Sequence, residues 1–175
     1  MDPFATLGLP RSYEIDMQEL ESNYRALQKA MHPDKHVGTS ASQRRLSLEH
    51  AAQINDAYRV LKDELRRAEA LLGLYGAKNG EGEAADQEFL VEMLELREAL
   101  GEAKDARDLA SVRALSGQVE RQRARAQREL TQVFAELGRR ADGAETGRAA
   151  ALVSQLKYFR RFLDEVAAIE EEVLR

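Results

Sequence analysis

His32-Pro33-Asp34-Lys35 stands where one amphipathic run stops and a second is about to begin. A proline disfavours helical geometry in the residue before it and lacks a backbone donor, so the chain must turn at His32. The turn displays a ring, an acid and an amine at its tip, and polar loop residues presented by helices point to function better than buried ones do. Upstream, Ile15, Leu20, Tyr24, Leu27 and Met31 keep helical spacing, with Asp16 placed as N-cap and Glu19 one turn on. Downstream, a short loop from Val37 to Ser42 leads into Leu46, Leu48, Ala51, Ile54, Ala57, Tyr58, Leu61, Leu65, Ala68 and Leu72, a longer helical run. Ahead of both, Pro3-Phe4-Ala5-Thr6-Leu7-Gly8-Leu9-Pro10 spells one short helical turn stopped by Gly8 and Pro10. The expected unit is a short leading helix and two antiparallel helices, with the tetrapeptide at the base of their connecting loop.

The bulk numbers narrow the class. The chain has 175 residues, room for one domain or two small ones, and a net charge of −5, which gives no general attraction to nucleic acid or anionic membrane. Cysteine is absent, which excludes disulfides and thiolate chemistry and fits a reducing compartment. No apolar run approaches the roughly 20 residues that span a bilayer. Met1-Asp2-Pro3-Phe4 is unlike a secretory or transit peptide, so the expected location is the cytoplasm. Strand signals are missing, while Ala, Leu, Glu, Arg and Gln dominate, so the fold class is all-α.

Gly73, Gly76, Gly80 and Gly82, with Asn79 among them, mark the end of the long run and a joint. The expected division is 1–76, a linker over 77–86, and a second domain over 87–175. That domain carries three periodic segments, from about Gln87 to Ala103, Asp108 to Leu137, and Arg148 to Val173, with a Gly/Asp break over Gly138 to Gly147. Short polar breaks between amphipathic helices predict an antiparallel three-helix bundle. The stripe of the last helix reads Leu152, Leu156, Phe159, Leu163, Val166, Ile169, Val173.

The segment from Asp86 to Leu100 is over-supplied with apolar residues. At about 100° per residue, Phe89, Met93, Leu96 and Leu100 share one narrow face, which suffices to dock the helix. Leu90, Val91 and Leu94 then form a second stripe bordered by Glu95 and Glu98. Either the helix is buried on two sides, or this stripe faces solvent as a partner site.

The first half resembles a J-domain, the module that engages DnaK-class chaperones. Phe4 and Leu7 before the glycine, Tyr24 and Leu27 before His32, and Ile54-Asn55-Asp56-Ala57-Tyr58-x-x-Leu61 carry the likeness. Phe89-Leu90-x-x-x-Leu94-Glu95-Leu96-Arg97-Glu98-x-Leu100 resembles the signature helix of the HscB-type iron–sulfur co-chaperones. Arg67-Ala68-Glu69-x-Leu71-Leu72 and Arg161-Phe162-Leu163-Asp164 match that family too, which extends the resemblance over nearly the whole chain. Departures are Ala70, where an aromatic residue is common, and Ala99, where an acid is frequent. Glu21 stands where generic J-domains place a base. No Cys-x-x-Cys pair precedes the J-like segment, so the metal-binding extension of some eukaryotic relatives is not expected.

The resemblance implies two partners. One is an HscA-type chaperone of the DnaK class, met by Arg25, Lys29, His32, Pro33, Asp34 and Lys35; the other is an iron–sulfur cluster scaffold, met by Leu90, Val91, Leu94, Glu95, Glu98, Arg161 and Phe162. Phe162 has an alternative place flanking the core stripe. The implied role is to deliver the scaffold to the chaperone and stimulate its ATPase, with no catalytic residue, cofactor or metal of the chain's own. A generic J-domain co-chaperone with an unrelated client is the alternative. An enzyme is disfavoured, because there is neither a Gly-rich phosphate loop nor a nucleophile elbow. His32, Asp34 and His36 lack the fixed geometry of a metal site. Arg121, Arg123, Arg125 and Arg128 lie amid glutamines without interleaved aromatics, which reads as a solvated face rather than a nucleic-acid site.

Overall fold

A computed structural model describes residues 1–31, 41–77, 86–139 and 143–173, apart from the side chains at 41 and 44. Its regular structure is entirely helical: α1 Pro3–Leu7, α2 Met17–Ala30, α3 Ala41–Lys62, α4 Glu64–Leu74, α5 Gln87–Asp105, α6 Leu109–Leu137 and α7 Gly143–Val173. The all-α expectation holds. The chain divides into two compact units, Met1–Leu74 and Tyr75–Arg175. Of the expected linker over 77–86, residues 78–85 lie outside the described residues.

In the first unit, Asp2 caps α1 by accepting from the amides of Phe4 (2.9 Å) and Ala5 (3.3 Å), with Pro3 at the first helical position. Gly8 ends the helix at φ 65, a left-handed conformation that glycine adopts without strain. Phe4, Leu7 and Leu9 then pack into a core with Leu20, Ile54, Ala57 and Leu61. The long run is not one helix. Asp63 interrupts it, accepting from the amides of Leu65 (3.0 Å) and Arg66 (2.9 Å) as the cap of α4. At its other end the run begins with Leu46 and Leu48 exposed rather than in the core.

Arg67, in the Arg67-Ala68-Glu69 segment, ties the first unit together. Its Nε donates to the Tyr13 carbonyl at 2.8 Å and its guanidinium donates to the Leu61 carbonyl at 2.5 Å, a free acceptor at the end of α3. The same group lies 5.5 Å from the centre of the Tyr13 ring. Burial lowers its pKa from the usual arginine value without threatening its charge. One side chain thus joins the loop before α2, the end of α3 and the start of α4.

In the second unit the ion pairs report helix direction. Arg113 meets Glu170 and Arg148 meets Glu129, so α6 and α7 run antiparallel. Arg97 meets Glu165 and Lys104 meets Glu172, so α5 and α7 run parallel. The result is the expected up-down-up bundle, cored by Met93, Leu96, Leu100, Val112, Val119, Leu130, Val133, Leu156, Phe159 and Val166, among others. The turn from α5 into α6 places Arg107 at φ 52, and the Asp108 amide reaches back to the Ala103 carbonyl at 2.9 Å. Asp108 then caps α6 on the amides of Ala110 and Ser111. α7 starts at Gly143, inside the expected break, because Glu145 and Arg148 brace its first turns and Arg148 is also held by Glu129 of α6.

Arg67→Leu removes both charged donors while keeping apolar bulk. It is expected to destabilise the first unit by about 2 kcal/mol, the range for hydrogen bonds from charged groups, measured by urea denaturation followed by circular dichroism.

Candidate partner-binding surfaces

His32, Pro33, Asp34 and Lys35 lie outside the described residues, so the hairpin is built here from its two helices. In α2 only Leu20 is fully sequestered. Polar and aromatic groups hold the rest of the helix. Tyr24 and Tyr58 stack with centroids 4.0 Å apart and planes at 14°. The Tyr24 hydroxyl donates to Asn55 at 2.9 Å, and Gln28 donates to the Tyr24 hydroxyl at 2.5 Å and to Asn55 at 3.3 Å. The Asn55 and Tyr58 of the sequence motif are therefore braces that set α3 against α2.

Arg25 and Lys29 lie one turn apart on the exposed side of α2. Arg25 is paired with Glu21 at 2.9 Å, and the other Glu21 oxygen accepts from the Tyr58 hydroxyl at 2.5 Å. The Tyr58 bond first, then Arg25, holds the Glu21 carboxyl below the usual glutamate range. The acid that replaces the usual base is thus not idle. It locks α2 to α3 and offsets part of the Arg25 charge.

On α5 the apolar surplus is resolved. Met93, Leu96 and Leu100 are buried, while Leu90, Val91 and Leu94 stand 37%, 50% and 59% exposed, with Glu95 and Glu98 exposed beside them. The stripe faces solvent. Arg161 is exposed on α7, as a contact residue needs to be. Phe162 is not. Its side chain is 0% exposed and takes the core position that the sequence had given to Leu163, which is only half-buried. The core register of α7 is Phe159, Phe162, Val166, Ile169, so Phe162 is corrected from the contact list to the core. The aromatic residue that sequence reasoning missed is Tyr158, half-buried, with its ring edge-on to Phe89 at 5.7 Å. It precedes Glu165 by two turns, on the flank of α7 that faces α5, a placement that the helix pairing and not the sequence pattern reveals.

Among the described residues no cluster of His, Asp or Glu is placed to hold a metal ion, and no helix is long and apolar enough to cross a membrane. The histidine pair of the metal alternative, His32 and His36, lies outside the described residues. Of the four arginines weighed as a nucleic-acid site, Arg121, Arg125 and Arg128 are exposed along one face of α6 and Arg123 is half-buried.

A J-type hairpin followed by a helical bundle with one uncovered apolar face defines a class, the J-domain co-chaperone. Comparison narrows it. Residues 2–70 match the DnaJ domain family and residues 85–167 match the HSCB C-terminal oligomerisation domain family. The chain is 34% identical to the co-chaperone protein HscB homolog of Shewanella baltica (strain OS195) and 36% identical to that of Vibrio vulnificus (strain YJ016), in both pairs over 99% of each chain. The solved chaperone HscB from Vibrio cholerae superposes with a TM-score of 0.83 at 36% identity, over 99% of each chain. The crystal structure of human co-chaperone protein HscB, 24% identical, shares the fold with a TM-score of 0.81, over 96% of this chain and 81% of that one. The chain belongs to the HscB family of co-chaperones.

Two expectations follow from the site geometry. Because the folded-state pKa of Glu21 is depressed, its contribution is present above the unfolded value, about 4.3, and is lost as pH falls through the folded value. Glu21→Gln should therefore flatten the acid limb of thermal stability between pH 5 and pH 3, roughly the window that linkage assigns to a paired carboxylate. Phe162→Ala should cost about 3–5 kcal/mol by opening a cavity. In a melting experiment it should behave as a core variant, not as a folded protein with a damaged surface.

Proposed function

We propose that this protein brings an iron–sulfur cluster scaffold to a DnaK-class, HscA-type chaperone in the cytoplasm and stimulates that chaperone's ATPase. The observation that carries the reading is the uncovered stripe of α5. A helix that buries Met93, Leu96 and Leu100 and still presents Leu90, Val91 and Leu94 has a second apolar face for a partner. Glu95, Glu98 and Arg161 supply a charged rim, which orients a partner more than it adds raw affinity.

At the other unit, Arg25, Lys29 and Lys35 meet the chaperone electrostatically and speed encounter. His32, Pro33 and Asp34 then favour its hydrolysis-competent state. A partner shifts such an equilibrium only through different contacts with the two states, so the co-chaperone needs no reactive group of its own. Glu21 tempers the charge of Arg25, which supports a specialised chaperone partner over a general one. Carrying client and J-domain on one chain raises the effective concentration of client at the chaperone.

ATP turnover by the cognate HscA-type chaperone, with and without scaffold, tests this directly. His32→Gln is expected to abolish stimulation with scaffold affinity unchanged. Leu90→Ala with Leu94→Ala should weaken scaffold binding by roughly thirtyfold, for about 2 kcal/mol of lost apolar burial, and leave scaffold-free stimulation intact. If each variant lost both activities while still folded, the division of labour between the two units would be wrong.

A further inference from the structure

We infer that the solvent face of α6 is a third docking surface, shaped for an acidic helical segment of a protein partner. Arg121, Arg125 and Arg128 follow one another at intervals of four and three residues and are exposed together. At about 100° per residue they fall within an arc of roughly 60°. Val119, Ala126, Leu130 and Val133 occupy the opposite side of the helix and enter the core. Exposed Gln118 and Gln132 extend the face by one turn at each end. Cations that face a neighbouring helix are neutralised there: Arg97, Lys104, Arg113 and Arg148 each meet a glutamate. The three arginines of the stripe form no ion pair among the described residues. Glu129, one turn beyond Arg125, is held by Arg148 instead. On a chain of net charge −5, three unneutralised guanidinium groups in a row reverse the local sign of the field.

Guanidinium forks recognise carboxylates and phosphates through paired hydrogen bonds, and the surroundings choose between the two. Glu88 and Glu129 line the cleft that Arg125 borders, and Glu120 is exposed beside Arg121. A nucleic-acid duplex or an anionic membrane presents a broad, continuous negative surface, which would overlie those acids together with the arginines. No aromatic residue interleaves the stripe to stack on a base. A helix with carboxylates on its centre line alone is narrow enough to meet the arginines and miss the acids. Spacing favours a helix over an extended strand as well. Arg121 and Arg128 are about 10 Å apart along α6, and acids at matching intervals on a partner helix reproduce that span. Three successive same-side residues of an extended chain cover about 14 Å. Basic residues flanking the partner's acids would face Glu120 and Glu88.

The test is NMR titration of the isotope-labelled full chain with an alanine-based helical peptide whose glutamates recur at intervals of four and three residues. It should shift the α6 amide and arginine side-chain signals. A peptide of equal composition with its glutamates scattered round the helix should bind about fourfold more weakly, since each exposed pair lost costs roughly twofold. Equal binding would refute the proposal, because it would reflect net charge alone. Arg121→Gln with Arg125→Gln and Arg128→Gln should weaken the patterned peptide about eightfold on the same scale, with an unchanged melting curve. Arg66→Gln, at an exposed site in the first unit, should bind as the parent does. Duplex RNA and phosphatidylserine vesicles complete the set. If either shifts the α6 signals at lower concentration than the patterned peptide, the occupant is wrong. If no probe shifts them, the face is merely solvated and the proposal fails.

Discussion

A helix packed in a three-helix bundle has only one side to bury, and in this protein α5 is apolar on more than one. Phe89, Met93, Leu96 and Leu100 turn toward α6 and α7, and once they are in place Leu90, Val91 and Leu94 have nowhere inside to go. Two long helices, α6 and α7, form the main contact of the bundle, and α5 is laid against them. The exposed stripe follows from that geometry. A cluster of large apolar side chains in water is unfavourable for a free protein, and that cost is what the proposed partner would relieve.

α5 pairs with α7 in parallel. The ion pairs that report the pairing are exposed and individually worth little, at most about 1 kcal/mol each. The apolar register beneath them does the holding, and Phe162 belongs to it. Sinking Phe162 into the core rotates its neighbours outward, leaving Arg161 and Tyr158 on the rim. Phe162, named as a contact by motif alone, thus belongs to the core.

The first unit is held differently. With Leu20 the one fully sequestered side chain of α2, that helix depends on the Tyr24–Tyr58 stack, on Asn55, and on the Glu21 carboxylate shared by Tyr58 and Arg25. Such bonds are directional, so they define the angle of the hairpin more sharply than a greasy seam would. Membership of the HscB family and this bracing are compatible with a J-domain tuned to one chaperone, the reading under which Glu21 is a functional departure and not a defect.

Sequence alone determined the helical class, the three amphipathic helices of the bundle, the J-type and signature motifs, and the surplus stripe on α5. All of these are written in local periodicity and in short-range chemistry such as capping by Asp2, Asp16 and Asp108. Other features were out of its reach. The break at Asp63 was hidden because the apolar period runs through it unchanged, and only the two amides it caps reveal a new helix. Leu163 and Phe162 are adjacent and both fit a heptad within one position, so the partner helices decided which went inside. Whether Leu90 and Leu94 met water depended on which side of α5 the other two helices of the bundle cover, and the pairing of Tyr158 with α5 depended on the parallel direction of α7. Burial is a property of what lies opposite a side chain, and no linear pattern records that.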